Sequence, residues 1–160
     1  DILQDGALDY PDEILAGFDF IIASIHSRFN LGEAEMTARF LRAIESPWLS
    51  ILGHPTGRLL LSREAYPVDL DRVFEAAGKA GVAIEINADP HRLDLDWRVL
   101  GRAREAGVMI SIGSDAHNLA GLANVDYGVG IARKGGLGPD AILNCRSAED
   151  FLAFVRARRT

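Results

Sequence analysis

Three histidines each close an apolar, strand-like run. Ile21-Ile22-Ala23-Ser24-Ile25 leads to His26, and Leu49-Ser50-Ile51-Leu52-Gly53 leads to His54. Val108-Met109-Ile110-Ser111-Ile112 leads into the turn Gly113-Ser114-Asp115-Ala116-His117. Ligands placed just past the C-terminal ends of parallel strands converge on one mouth of an α/β barrel. Imidazole with carboxylate is the donor set that Zn²⁺, Mn²⁺ or Fe²⁺ takes. These residues therefore point to a metal-dependent hydrolase, or to part of one.

Each position also has a plainer reading. His26 reads equally as a strand-end histidine held by a hydrogen bond, and His54, between Gly53 and Pro55, as a turn residue whose ring direction is set by its neighbours. Asp115 reads also as the N-cap of the next helix. If strand geometry persists past Gly113, Asp115 and His117 share one face, because side chains alternate with period two. The joint pattern outweighs the separate ones, since buried strand ends rarely carry imidazole for packing alone. His91 stands well past its strand and reads as a surface residue. On the third strand-like run Glu85 and Asn87 share a face: Glu85 is expected to be a buried structural partner, and Asn87, nearer the end, to touch substrate. Arg28, Arg58 and Arg92 each follow a strand end, and guanidinium suits phosphate; Arg28 and Arg58 are the favoured substrate contacts. No nucleophile elbow, P-loop or dinucleotide fingerprint is present. Cys145, the single cysteine, reads as a small packing residue.

The elements that must position these groups repeat as strand, loop and helix. Met36, Phe40 and Ile44 fall four apart in a helix over 33–45, stopped by Pro47. Leu70, Val73, Phe74 and Ala77 make one stripe of a helix over 69–80, with Gly81 as its cap. A third strand covers 82–87. A helix over 96–106 turns Trp97, Leu100 and Ala103 inward, and Ser147 caps a last helix packed by Phe151, Phe154 and Val155. Corresponding strand ends at 26, 54, 87 and 115 are spaced as βα units of a parallel sheet require.

At 160 residues, 48% hydrophobic and 25% charged, the chain suits one globular domain. Its net charge of −6 argues against a general duplex-binding role, but not against phosphoester chemistry, where bound cations supply local positive charge. No apolar run is long enough to span a bilayer, and no disulfide is available to one cysteine; a cytoplasmic setting is expected. The chain opens at Asp1-Ile2-Leu3, in what reads as the tail of a strand, and holds too few strands to close a barrel. A piece of a larger protein is expected, with self-association through its open sheet edges.

Ser-Ile-His-Ser at His26, Gly-His-Pro-Thr-Gly-Arg at 53–58, Glu-Ile-Asn at 85–87 and Ser-Asp-Ala-His at 114–117 resemble the later motifs of the PHP (polymerase and histidinol phosphatase) domain. The similarity is strongest to the C-terminal PHP domain of bacterial family X DNA polymerases. Asp5–Tyr10, Met36-Thr37-Ala38-Arg39, Arg92-Leu93-Asp94-Leu95 and Ile142-Leu143-Asn144 add to it. The resemblance implies an α/β fold, a distorted TIM-like (βα)7 barrel, with residues 1–160 as the C-terminal portion of one PHP domain, a partial barrel lacking its N-terminal strands. It implies up to three metals, Mn²⁺ or Zn²⁺, with His26, His54, Asp115 and His117 as ligands, and Asp115 or His117 also assisting proton transfer. Arg28, Arg58 and Asn87 would contact a phosphoester substrate. In the polymerase branch the implied activity is 3′–5′ exonuclease or DNA-end processing, with a polymerase domain upstream as partner. The alternatives are a small-molecule phosphatase of the histidinol-phosphate kind and a non-catalytic scaffold. An unrelated amidohydrolase barrel would need a metal-bridging lysine, and Lys79 and Lys134 are poorly placed for it. The family's first motif, His-x-His, is absent from this chain, so only about half of the ligand cluster is expected here.

Overall fold

In the computed structural model, which describes residues 1–159, four parallel strands form one sheet in the order β1–β2–β3–β4. The strands are β1 (Ile22–Ala23), β2 (Ile51–Leu52), β3 (Ala83–Asn87) and β4 (Ile110–Gly113). Ile22 pairs with Ile51, Leu52 with Ile84, and Glu85 with Ser111. The helices are α1 (Asp12–Leu15), α2 (Glu33–Glu45), α3 (Leu70–Ala80), α4 (Leu100–Glu105), α5 (Val125–Lys134) and α6 (Ala148–Arg156). The arrangement is α/β with a parallel sheet, as expected for part of a barrel. β1 and β2 are shorter than their apolar runs. One cause is local: the Ser50 hydroxyl accepts the Ile21 N–H at 3.2 Å, so the backbone ladder starts late.

Local chemistry explains why the helices sit where they do. α2 turns Met36, Phe40, Ala43 and Ile44 into the core, and Glu35 reaches back to the Gly32 N–H at 3.2 Å. The Asp69 carboxylate caps α3 by accepting the Arg72 N–H at 3.2 Å, and Gly81 ends it with φ +68°, a left-handed turn that suits glycine. A 3₁₀ turn over Trp97–Val99 leads into α4, which buries Leu100 and Ala103. Trp97 departs from expectation. The end of α5 packs against the Trp97 carbonyl and the Leu100 side chain, and the indole stays at the surface with the Lys134 ammonium 4.6 Å over its ring. Cys145 is likewise exposed and packs nothing.

The two faces of the sheet are differently filled. Ala23, Ile25, Leu52, Ile84, Ile86 and Ile112 join the residues of α2, α3 and α4 in the main core. On the other face, Ile51 and Ala83 meet Leu143, with Met109, Phe151 and Phe154 beside them, so α6 covers the lower half of that face. Phe20 closes this second cluster edge-on to Phe151 at 5.1 Å. The upper half carries Ser24, Gly53, Glu85 and Gly113, close enough that a methyl at either glycine would meet the Glu85 carboxylate or its neighbour Ser24. Beyond β4 the chain returns at Ile142 beside Ile110. There the Asn144 amide imitates a strand neighbour, accepting the Ile112 N–H at 2.7 Å and donating to its carbonyl at 3.0 Å. No helix is long and apolar enough to cross a membrane among the described residues.

Candidate metal centre

The C-terminal ends of the four strands bring the expected groups to one rim as two pairs. His26 and His54 form the first, their Nε2 atoms 3.2 Å apart and their ring centroids 5.0 Å apart. His26 is solvent-facing, and its Nδ1 lies 2.7 Å from the Asp1 carboxylate. His54 is buried, with φ +26° in the sharp exit between Gly53 and Pro55. Its backbone N–H donates to Glu85 Oε2 at 2.8 Å, while its Nδ1 is buried with no partner among the described residues. Burial, then the nearby Arg92 charge, pushes the His54 imidazole down to about 4. His26 is lowered too, first by burial, with Arg92 also contributing. His54 is therefore neutral at pH 7.

Asp115 and His117 form the second pair, but not by strand alternation. β4 ends at Gly113, and Asp115 has φ +51°. The two side chains are set by a left-handed turn in which His117 Nδ1 approaches the Asp115 carbonyl at 2.7 Å. Donation there leaves His117 Nε2 as the acceptor nitrogen, without a hydrogen-bond partner among the described residues. Asp115 is not a helix cap; its carboxylate takes the Arg92 Nε–H at 3.2 Å. Arg92 thus stands beside both pairs: it pairs with Asp115, and its charge depresses both imidazoles of the other pair. Its Nη1 is buried without a partner among the described residues.

The geometry of the first pair suits a metal. Two imidazole nitrogens bound tetrahedrally at about 2.05 Å from Zn²⁺ stand about 3.3 Å apart, close to the 3.2 Å observed. A carboxylate on the far nitrogen of a ligating histidine is the usual orienting partner, and Asp1 supplies it to His26. Among the described residues no three His, Cys, Asp or Glu side chains close into one metal-holding group. The pair by itself is two donors.

The supporting residues separate into groups that face the rim and groups that build it. Glu85 is buried below His54, and burial pushes its carboxyl up to about 7 against the opposing His54 and Asn87 hydrogen bonds. Asn87 is buried; its Nδ2 donates to Glu85 at 3.4 Å and its Oδ1 accepts the Asp89 N–H at 3.1 Å. It sits beneath the rim instead of on it. Arg58 is drawn into the loops: it pairs with Asp96 at 2.9 Å and donates to the Arg92 and Leu93 carbonyls. Arg28 is exposed with φ +55° and has no hydrogen-bond or ion-pair partner among the described residues. His91 is a surface residue bonded to Asp89 at 2.9 Å. Together with Asp89, Asp115, His117, Asn118 and Asn124 it lines an open groove of about 300 Å³.

Two contributors, Arg39 and Asp94, were not singled out as site residues from sequence, and a third, Arg92, was named there but not favoured. Arg39 is buried and holds three carbonyls around the start of the chain and the His26 loop. Asp94 is fully buried and accepts the Thr56 N–H at 2.9 Å, tying the turn that begins at His54 to the loop after β3. Arg92 is the guanidinium beside Asp115. Its loop position marked it as a candidate, but only packing distinguishes it from Arg58.

No protein-family model matches the chain. It is 45% identical over 156 residues to a protein of Bacillus subtilis named DNA polymerase/3′-5′ exonuclease PolX, covering 98% of this chain and 27% of that protein. A probable phosphatase of Caldanaerobacter subterraneus is 38% identical over 87 residues, covering 52% of this chain and 32% of the relative. A probable phosphatase of Clostridium acetobutylicum is 41% identical over 90 residues. The chain spans about a third or less of the length of these curated relatives. As its motifs implied, the chain is similar over nearly its whole length to the PHP-type portion of bacterial family X polymerases, and over about half of it to phosphatases.

Proposed function

We propose that this chain is the C-terminal part of a metal-dependent phosphoesterase barrel of the (βα)7 kind, acting on DNA 3′ ends within a protein that also carries a polymerase domain. The observation that carries this reading is the convergence of His26 Nε2 and His54 Nε2 at metal-like spacing, with Asp1 on the opposite nitrogen of His26. It is supported by the similarity of nearly all of this chain to about a quarter of a protein named DNA polymerase/3′-5′ exonuclease PolX.

His26 and His54 would hold one metal, and Asp115 and His117 would contribute to a second position. The remaining donors would come from outside this chain. Mn²⁺ or Zn²⁺ there would lower the pKa of a bound water and offset charge on phosphoryl oxygens. Glu85 fixes the His54 backbone from below and so sets the direction of that ring. His117, whose Nδ1 donates to the Asp115 carbonyl, would offer Nε2 to that second metal or, in its place, assist proton transfer. Arg92, with one nitrogen on Asp115 and another unpartnered, and Arg28, free on the rim, are the cations suited to a phosphate group. Asn87 and Arg58 support the loops that carry these groups.

The phosphatase relatives favour a second reading, hydrolysis of a small phosphomonoester at the same centre. One experiment separates the two. The full-length protein is reconstituted with Mn²⁺ or Zn²⁺, analysed for metal, and assayed on a 3′-ended oligonucleotide and on a small phosphomonoester. Bound metal lost in His54→Ala, with trimming of the oligonucleotide, supports the nuclease. Activity on the monoester alone supports the phosphatase. No bound metal after reconstitution refutes both and leaves a scaffold.

A further inference from the structure

The loop that leaves β2 at His54 carries an unusual tip. Leu61 is fully exposed, and its backbone lies in the left-handed region at φ +62°. That conformation is disfavoured for any side chain with a Cβ and is normally given to Gly or Asn. A leucine there gains no burial in exchange. Leu60 beside it is exposed as well.

The tip is held by several bonds. Leu59 and Arg63 exchange backbone hydrogen bonds at 2.8 Å each way, and the Ser62 N–H reaches the Leu59 carbonyl at 3.0 Å. The Arg63 guanidinium donates twice to the Gly57 carbonyl, at 2.9 and 2.6 Å. The Leu60 N–H donates to the His91 carbonyl at 2.6 Å, joining this loop to the one after β3. A strained, exposed, apolar tip on a pinned loop is a functional outlier of the kind that marks a contact surface.

Its neighbours indicate the partner. Arg63 lies 4.3 Å over the Phe29 ring, and Phe29 stacks on Tyr66 with an interplanar angle of 8°. This joins the tip to the loop after β1, where Arg28 is free and exposed just past His26. Glu64 is the one acidic side chain between His54 and Tyr66. The exposed Leu60 and Leu61 thus lie on the loop that leaves β2 at His54 and the exposed Arg28 on the loop that leaves β1 at His26, the two loops being joined through Arg63, Phe29 and Tyr66. Arginine for the backbone and an apolar face for the bases is the pattern that grips single-stranded nucleic acid.

We propose that Leu61, presented by the pinned 59–63 turn, packs against a base of a single DNA strand near its 3′ end while Arg28 holds an adjacent phosphate. This rests on the nuclease reading above and adds to it the residues that separate a strand from a small phosphoester.

The test uses the metal-loaded full-length protein and three probes: a mixed-sequence single-stranded oligonucleotide, the same strand with 2-aminopurine near its 3′ end, and bis(p-nitrophenyl) phosphate. Leu61→Gly relieves the backbone strain, so the variant should unfold at an unchanged or higher urea midpoint. It should bind the oligonucleotide at least about tenfold more weakly, because a buried leucine contact is lost, and lose the 2-aminopurine fluorescence change on binding. Hydrolysis of the small ester should stay as in the unaltered protein. Arg28→Ala should reduce the slope of log affinity against log salt by about 0.7, one phosphate contact on a single strand, while Leu61→Gly leaves that slope unchanged. Unaltered oligonucleotide affinity in Leu61→Gly overturns the proposal; if its unfolding midpoint also falls, the tip packs on another part of the protein. An unaltered protein that cleaves the small ester but does not bind the oligonucleotide overturns the nuclease reading itself.

Discussion

Replacing Arg39 by Met tests the account of how the rim is held. Arg39 lies in the middle of α2, buried and in no ion pair among the described residues. It donates from Nε to the Leu3 carbonyl at 2.6 Å, from Nη2 to that of Ile2 at 2.5 Å, and from Nη1 to that of Ser27 at 2.9 Å. Leu3 keeps a second donor in the Gly6 N–H at 3.0 Å, so its carbonyl survives the change. The carbonyls of Ile2 and Ser27 lose the side chain that serves them. A buried acceptor left unpaired costs about 1–3 kcal/mol. Removing a buried charge recovers part of its desolvation penalty, and Met keeps the unbranched apolar stem. The net expectation is a loss of about 3 kcal/mol. Urea unfolding followed by the fluorescence of Trp48 and Trp97 measures it. Arg39→Lys keeps the charge but not the three-pronged geometry, and should fall between. A loss below about 1 kcal/mol in Arg39→Met, or Lys behaving like Met, would refute the argument that directed hydrogen bonds to these carbonyls hold the segment. Ser27 follows His26 directly, so the same variant should weaken metal retention in the full-length protein.

Other expectations follow from packing and charge. A methyl at Gly78 would collide with the Ala106 carbonyl, whereas one at Gly101 meets nothing within 4 Å. Gly78→Ala should therefore cost about 1–3 kcal/mol, and Gly101→Ala should raise stability by up to about 1 kcal/mol, both read by urea denaturation. Burial pushes the Asp94 carboxyl up to about 6, only partly opposed by the Thr56 N–H. The native state then holds this proton over a range where the unfolded state has released it. The Asp94 contribution should fall as pH rises from about 4 to about 6, by at most about 3 kcal/mol, and stay level above. Asp94→Asn keeps an acceptor for Thr56 and should flatten that part of the curve; an unchanged pH profile would contradict the assignment. Arg158 binds the carbonyls of Ile44 and Ser46 at the end of α2, at 2.7 and 2.8 Å, and that of Ala80 at the end of α3. Arg158→Ala should lower stability by about 2–3 kcal/mol and speed amide exchange in the last turns of both helices.

The sequence by itself determined the elements whose causes are local. Met36, Phe40 and Ile44 at intervals of four, Asp69 and Gly81 at the ends of α3, and Ser147 before α6 specify helices through contacts within a turn or two. The strand ends were legible for the same reason, since an apolar run followed by Gly-His-Pro or Gly-Ser-Asp must exit there. That put His26, His54, Asp115 and His117 at strand ends before any coordinates; in the fold His26 meets His54, and His117 meets the Asp115 carbonyl. Which groups touch was not legible, because the partners lie far apart in the chain. Arg58 and Arg92 are alike in sequence context, yet Asp96 and two carbonyls take the first and Asp115 the second. Asn87 reads as facing a substrate until Asp94 and Gly113 pair with it on either side and Glu85 takes its amide. Trp97 fits an inward helical stripe until α5 occupies its place. Asp115 and His117 meet through a left-handed turn that strand periodicity does not foresee. Tertiary packing decided these points, since burial and charge pairing depend on neighbours that only the assembled fold supplies.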